Sequence, residues 1–136
     1  MKYNEFLTEY SNDKCNFEDG EPEYSIMKMW KELNDFIVID KINDVELFTS
    51  DDTENYKLYA LTNDKIIQVE KIADKKYNIK IMKISDIDTI ILQYEYSINA
   101  TLVVNFYKPE NNFSIKGLTE SKITSVFNIA KILYTK

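Results

Sequence analysis

The sequence predicts a single α+β domain: two amphipathic helices, a strongly bent antiparallel sheet of about seven strands, and a closing C-terminal helix. Three observations predict it. Apolar residues recur at helical spacing near the N-terminus, as in Tyr3, Phe6, Leu7 and Tyr10. The period becomes alternating from Val45 onward, and the helical period returns after Gly117. At 136 residues the chain suits one core, since single domains run to about 100–200 residues. The expected organisation is a helical extension over residues 1–44 and a β-rich core over 45–136.

The elements follow in order. Tyr3 to Tyr10 form the first helix. The polar stretch Ser11 to Glu23, with Asn12, Asp13, Asn16, Gly20 and Pro22, reads as a loop. Pro22 suits the first turn of a second helix, where its missing N–H costs little. Ile26, Trp30, Leu33 and Ile37 share one face of that helix, with Trp30 as its docking anchor, and residues 37–44 fit either a helix end or a strand. Val45–Thr49 is the first strand and Ser50–Asn55 an acidic turn. Tyr56–Thr62 and Lys65–Lys71 make a hairpin around Asn63-Asp64, a pair that tolerates the positive φ of a tight turn. Asp74-Lys75-Lys76 turns the chain into Tyr77–Ile84, where Tyr77, Ile79 and Ile81 share a face. In Thr101–Tyr107, after the strand Asp88–Tyr96, Leu102, Val104 and Phe106 alternate with Thr101, Val103 and Asn105. Pro109-Glu110-Asn111 turns into Asn112–Lys116. Short polar turns between β-branched and aromatic runs argue an antiparallel meander. Thr119 is the expected N-cap of the last helix, with Glu120 just inside it. Ile123, Val126, Phe127, Ala130 and Leu133 form its buried face, and Lys131 and Lys136 sit near its C-terminal end. Such a helix can plug the open end of a bent sheet.

Composition closes off several chemistries. The chain has no histidine, and all 17 of its basic residues are lysines. Without histidine there is no Ser–His or Cys–His nucleophile pair and no His-ligated metal. Without arginine there is no bidentate phosphate clamp. The Lys-, Asn-, Ile- and Tyr-rich composition is what an AT-rich, low-GC genome would produce. Cys15 is the only cysteine, so no intrachain disulfide can form, and Asp13, Glu18 and Asp19 nearby would raise its thiol pKa. The net charge of −6 is uneven: residues 1–55 carry 15 acids and 5 lysines, residues 56–136 carry 8 acids and 12 lysines. Nucleic-acid binding is not expected of so acidic a chain. No apolar run approaches the roughly 18–20 residues that cross a bilayer, and the N-terminus lacks a secretion signal. The expected location is the cytoplasm.

Three pieces of the second half stand out, Tyr59-Ala60-Leu61-Thr62-Asn63-Asp64-Lys65-Ile66-Ile67, Ile84-Ser85-Asp86-Ile87-Asp88-Thr89-Ile90 and Phe113-Ser114-Ile115-Lys116-Gly117-Leu118, the last leading into the closing helix. In these, residues 45–136 resemble the bacterial PH-like domains, relatives of the pleckstrin-homology and GRAM domains. The resemblance implies a PH-like fold that binds peptides, protein surfaces or lipid headgroups and is not an enzyme. Lipid-binding members resemble one another in a basic loop between the first two strands. Here Ser50–Asn55 holds Asp51, Asp52 and Glu54 and no base, so phosphoinositide or membrane binding is not expected. Phe127 stands where many eukaryotic members have tryptophan.

The remaining motifs are weak. Placing Gly20 at the sixth position of a calcium loop puts Cys15 and Phe17 where oxygen ligands belong, so Glu18, Asp19, Glu21 and Glu23 read as a solvated loop. Asp51, Asp52 and Glu54 lack the burial or partner charge that separates two carboxyl pKa values. Asn99-Ala100-Thr101 and Asn112-Phe113-Ser114 match the glycosylation pattern by chance in an Asn-rich chain. Among the 10 tyrosines, Tyr94 and Tyr96 alternate with Ile90 and Leu92 onto one face, and Tyr107 belongs to the next strand. These three are the candidate binding-surface residues, because aromatics with polar tips are enriched in recognition surfaces. The function expected is a non-catalytic PH-like domain that binds or scaffolds another protein, with no cofactor and no metal. The alternatives are a small enzyme using carboxylates, Ser, Tyr or Lys, and a weak peripheral membrane module.

Overall fold

A computed structural model describes residues 42, 44–49, 56–73 and 76–135. The two expected N-terminal helices, Trp30, Cys15, the acidic loop before Pro22 and the Ser50–Asn55 turn lie outside the described residues. The chain divides into two compact units between Ile81 and Met82, and each is taken by itself.

In the first unit β1 (Asp44–Thr49), β2 (Tyr56–Leu61), β3 (Lys65–Ala73) and β4 (Lys76–Lys83) form a sheet in sequence order. β1 and β2 are antiparallel with Val45 opposite Ala60, and β2 and β3 with Leu58 opposite Val69. Leu58, Tyr59, Ala60 and Leu61 are all buried; successive strand residues point to opposite faces, so β2 is covered on both. The β2–β3 turn departs from expectation. Neither Asn63 nor Asp64 has a positive φ. Instead the buried Thr62 organises the turn: its N–H donates to the Lys65 carbonyl at 3.0 Å, and its hydroxyl accepts from the Lys65 N–H at 3.0 Å. A side-chain hydroxyl thus replaces the backbone geometry that a primed turn would need. The Lys65 ammonium, 2.9 Å from Asp64, holds the Asp64 carboxyl below its usual range. β4 also differs from its sequence pattern. Tyr77 and Ile79 are half-buried, but Ile81 is exposed and Met82 and Ile84 are buried. The inward parity changes after Ile79, so Tyr77, Ile79 and Ile81 do not share a buried face.

The second unit begins with the end of β4 and a short 3-10 turn, Ile84–Asp86. β5 (Ile87–Glu95), β6 (Asn99–Phe106) and β7 (Phe113–Gly117) then form a separate antiparallel sheet in the order β5-β6-β7. The described strands therefore make a four-stranded and a three-stranded sheet, not the single seven-stranded sheet expected. The 3-10 turn stands in sequence between β4 and β5. β6 carries the cleanest alternation: Ala100, Leu102, Val104 and Phe106 are buried, and the residues between them are half-buried. A second 3-10 turn, Pro109–Asn111, follows β6, and the Asn112 side chain accepts the Phe106 N–H at 2.7 Å, finishing the strand's hydrogen bonding.

Helix α1 (Glu120–Tyr134) closes the unit. Thr119 caps it as expected, its hydroxyl accepting the Lys122 N–H at 3.3 Å, with Glu120 in the first turn and Lys131 in the last. Its buried residues are Val126, Ile129, Ala130 and Leu133. Ile123 and Phe127, both expected in that set, are only half-buried. The helix packs chiefly on β7, then β6, and reaches β5 at its margin; Phe127 points towards that margin, beside Tyr94.

Candidate surface on the β5–β6 hairpin

The uneven cover of α1 is legible across one row of the sheet. Leu92, Leu102 and Ile115 are cross-strand neighbours on the helix side. Leu102 is 0% exposed and Ile115 4%, yet Leu92 is 40% exposed. β5 thus carries core-type side chains past the edge of the helix. Tyr94, opposite Ala100, continues the strip and is 47% exposed. Its ring meets Phe127 edge-on at 5.1 Å and Tyr96 edge-on at 6.1 Å, distances typical of favourable aromatic pairs.

The turn beyond Tyr94 fixes the next two side chains. The Ile98 N–H donates to the Glu95 carbonyl at 2.9 Å, and Ser97 adopts φ 61°. Asn99 donates to the Glu95 carboxylate at 3.1 Å, and the Ser97 N–H reaches the Tyr94 hydroxyl at 3.4 Å. This ordered turn holds Tyr96 and Ile98 out in solvent, Tyr96 at 81% exposure. On the other face of β5, Ile91 is also exposed.

Of the three tyrosines singled out from sequence, the structure brings two together. Tyr107 is exposed, but its N–H donates to the Asp86 carbonyl at the opposite end of the hairpin, where Phe106 faces Ile87. Seven residues of strand separate that end from Tyr94, about 23 Å at the usual rise. Hairpin register therefore places Tyr107 away from Tyr94 and Tyr96. Ile91, Leu92, Ile98 and Phe127 belong to the surface and were not singled out. For Ile91 and Leu92 the signal was apolar residues at both parities of Ile87–Glu95, without a lysine or proline.

Elsewhere, Tyr59 is buried on β2 and accepts a hydrogen bond from Gln68 at 3.1 Å. Burial pushes its hydroxyl up to about 12, against the lowering effect of that hydrogen bond, with Glu70 adding to the rise. Among the described residues no three His, Cys, Asp or Glu side chains gather as metal ligands, and no helix is long and apolar enough to cross a membrane.

The chain is similar in structure to a DUF1696-family protein with a pleckstrin-homology domain from Shewanella loihica PV-4. The match covers 79% of this chain and 89% of that one, with 14% sequence identity and a TM-score of 0.50. The likeness is one of fold. No protein-family model matches the chain, and no curated protein matches it. The PH-like comparison accords with two antiparallel sheets followed by a C-terminal helix. The exposed strip lies on the fifth strand of that series and the turn that follows it, beside the helix.

Proposed function

We propose that this protein is a non-catalytic PH-like domain that binds or scaffolds another protein, and that it does so through the β5–β6 hairpin. The observation that carries the reading is the strip Leu92, Tyr94 and Tyr96 with Phe127 beside it, an apolar and aromatic surface presented on ordered backbone. Contiguous apolar surface of this kind marks interaction sites, and tyrosine supplies large contact area at a low entropic cost. A chain without histidine or arginine lacks the residues that most often carry acid–base and phosphoryl-transfer chemistry. The PH-like neighbour supports a binding domain by analogy of fold.

The test is comparative capture from the source organism. Wild-type protein and the variants Leu92→Glu and Tyr96→Ala, both confirmed as folded by circular dichroism, are used as baits. A partner retained by wild type and lost from both variants supports the reading. A partner retained equally by all three places binding elsewhere.

A further inference from the structure

The two sides of the first sheet differ in what they bury. Directly opposed residues of antiparallel strands share a side, so the β2–β3 register sorts them. Leu58 with Val69 and Ala60 with Ile67 make one side, and all four are buried. That side is uniformly apolar. The other is graded. Leu61 and Ile66 are buried at one end, Tyr59 is 2% exposed opposite a half-buried Gln68, and Lys57 and Glu70 are half-buried at the rim. Neighbours within a sheet stand beside a tyrosine ring and not over it, so a further element lies across Tyr59. An apolar band that gives way to charge over four residues of strand fits the stripe of one amphipathic helix.

Connectivity, length and charge name the occupant. The compact unit that holds this sheet runs from Met1 to Ile81. β1 begins at Asp44, opposite Leu61 at the buried end of the graded side, and Ile42 just before it is 5% exposed. Ile37 ends the apolar face of the second predicted helix and precedes Asp44 by seven residues. Such a tether spans at most about 25 Å. A helix from Ile26 to Ile37 runs about 17 Å, and the graded side from Leu61 to Lys57 runs about 13 Å. Residues 1–41 carry 10 acids and 5 lysines, whereas residues 56–81 carry 3 acids and 6 lysines, so the two attract.

We infer that residues 26–37 dock as an amphipathic helix across the Tyr59 side of the first sheet, with Trp30 and Leu33 set against Tyr59, Leu61 and Ile66. The N-terminal extension is then a layer of the domain and not a free arm for a partner. The Tyr59 side is closed to outside ligands by the chain itself. This inference stands apart from the binding role proposed for the β5–β6 hairpin, and either can fail without the other.

The test uses the full chain carrying Cys15→Ser and Asn34→Cys, with a nitroxide attached at position 34. Cys15 is the only natural cysteine, so the label is unique, and Asn34 lies off the predicted apolar face. The expected result is paramagnetic broadening of the β2 and β3 amides from Lys57 to Leu61 and from Ile66 to Glu70. Trp30, the only tryptophan, gives a second reading in the wild-type chain: its emission is expected to be blue-shifted and shielded from acrylamide. Broadening that spares β2 and β3 overturns the inference, and so does emission at the wavelength of a solvated indole. A mixture of nitroxide-bearing chains without isotope and isotope-labelled chains without nitroxide supplies the last arm. Broadening of the labelled chains in that mixture gives the cover to a second copy and overturns the inference, whereas its confinement to the chain that bears the label supports it.

Discussion

Gly117, the last residue of β7, lies against the backbone of Lys122 in the first turns of α1: a β-carbon at Gly117 would stand 2.5 Å from the Lys122 carbonyl carbon and oxygen. That separation is less than any real carbon contact, and the atoms it meets are helix backbone. Glycine here lets strand and helix approach one another, so that the helix packs closely on β7 and β6. Gly117→Ala is therefore expected to destabilise the protein by about 1–3 kcal/mol, the usual cost of overpacking, or more if the helix must be displaced. Urea unfolding checks it. A change under about 0.5 kcal/mol would mean that the helix moves aside freely.

The helix face provides a second prediction. Leu133 is buried and Phe127 half-buried. Leu133→Ala is expected to cost about 2–5 kcal/mol. Phe127→Ala is expected to cost about 1–2 kcal/mol, because its ring has one edge contact with Tyr94 at 5.1 Å and is partly in water. Denaturant unfolding of the two variants side by side would show the order, and Phe127→Ala costing more than Leu133→Ala would contradict the packing described.

What could be read from the sequence divides along physical lines. The β6 alternation of Leu102, Val104 and Phe106 was legible because one face of that strand is buried and the other is not. The cap at Thr119 was legible because a hydroxyl before a helix has a specific local use. β4 was not, because Tyr77, Ile79 and Ile81 alternate well in sequence while the strand's inward parity changes after Ile79. Periodicity gives the apolar face of α1 but not how far the sheet extends under it, so it alone assigns Phe127 to the core. The separation of Tyr107 from Tyr94 was available in principle: a hairpin turning at Ser97 places Tyr94 opposite Ala100 and carries Phe106 to the far end, where one register shift sets it opposite Ile87. The Asn63-Asp64 turn was misjudged because Thr62, one residue earlier, supplies the organising hydroxyl. The surface on β5 was only partly visible, since exposure depends on where α1 ends laterally.

Alkaline pH gives a third prediction. Burial pushes the Tyr59 hydroxyl up to about 12, above its ordinary value of 10.0. Between those values the unfolded chain loses this proton while the folded chain keeps it, so stability falls as pH rises. The contribution is fully present below about pH 10 and lost as pH passes about 12, amounting to about 2–3 kcal/mol. Tyr59→Phe removes that dependence, at the separate cost of leaving Gln68 without its hydroxyl partner. Comparing unfolding of the two proteins at pH 9 and pH 11 isolates the effect: wild type should lose more stability over that interval than the variant. Parallel losses would show that Tyr59 ionises as freely when folded.

The hairpin turn gives a fourth. Ser97 holds a left-handed φ of 61°, a conformation that crowds a β-carbon and crowds a branched one most. Ser97→Val should be less stable than Ser97→Gly by about 1–2 kcal/mol, and thermal unfolding would register the difference. Because this turn presents Tyr96 and Ile98, Ser97→Val should also weaken capture of a partner that depends on Tyr96, while Ser97→Gly should not. Equal stability of the two variants would show that the turn relaxes to another geometry.

Membranes give the last prediction, where the fold and the side chains point in opposite directions. PH-like domains include lipid binders, and that chemistry needs several cations converging on phosphate, each contributing about 1 kcal/mol near an anionic surface. In this chain the segment between β1 and β2 holds Asp51, Asp52 and Glu54 and no lysine. The first lysine after it, Lys57, faces Glu70 across the β2–β3 ladder, with its ammonium 3.4 Å from the carboxylate. Lys65, at the other end of β2 and β3, is paired with Asp64 at 2.9 Å. Such surface pairs add little to stability, but each sets an acid beside the cation an anionic lipid would need. Anionic and phosphoinositide-containing liposomes are therefore expected not to sediment the protein, even at low salt, where attraction is least screened. Co-pelleting that salt abolishes would overturn this prediction. Repeating the sedimentation with Lys57→Glu and Lys65→Glu would then show whether these paired lysines supply the attraction, since loss of pelleting in both would mean that lipid phosphate displaces Glu70 and Asp64 from them.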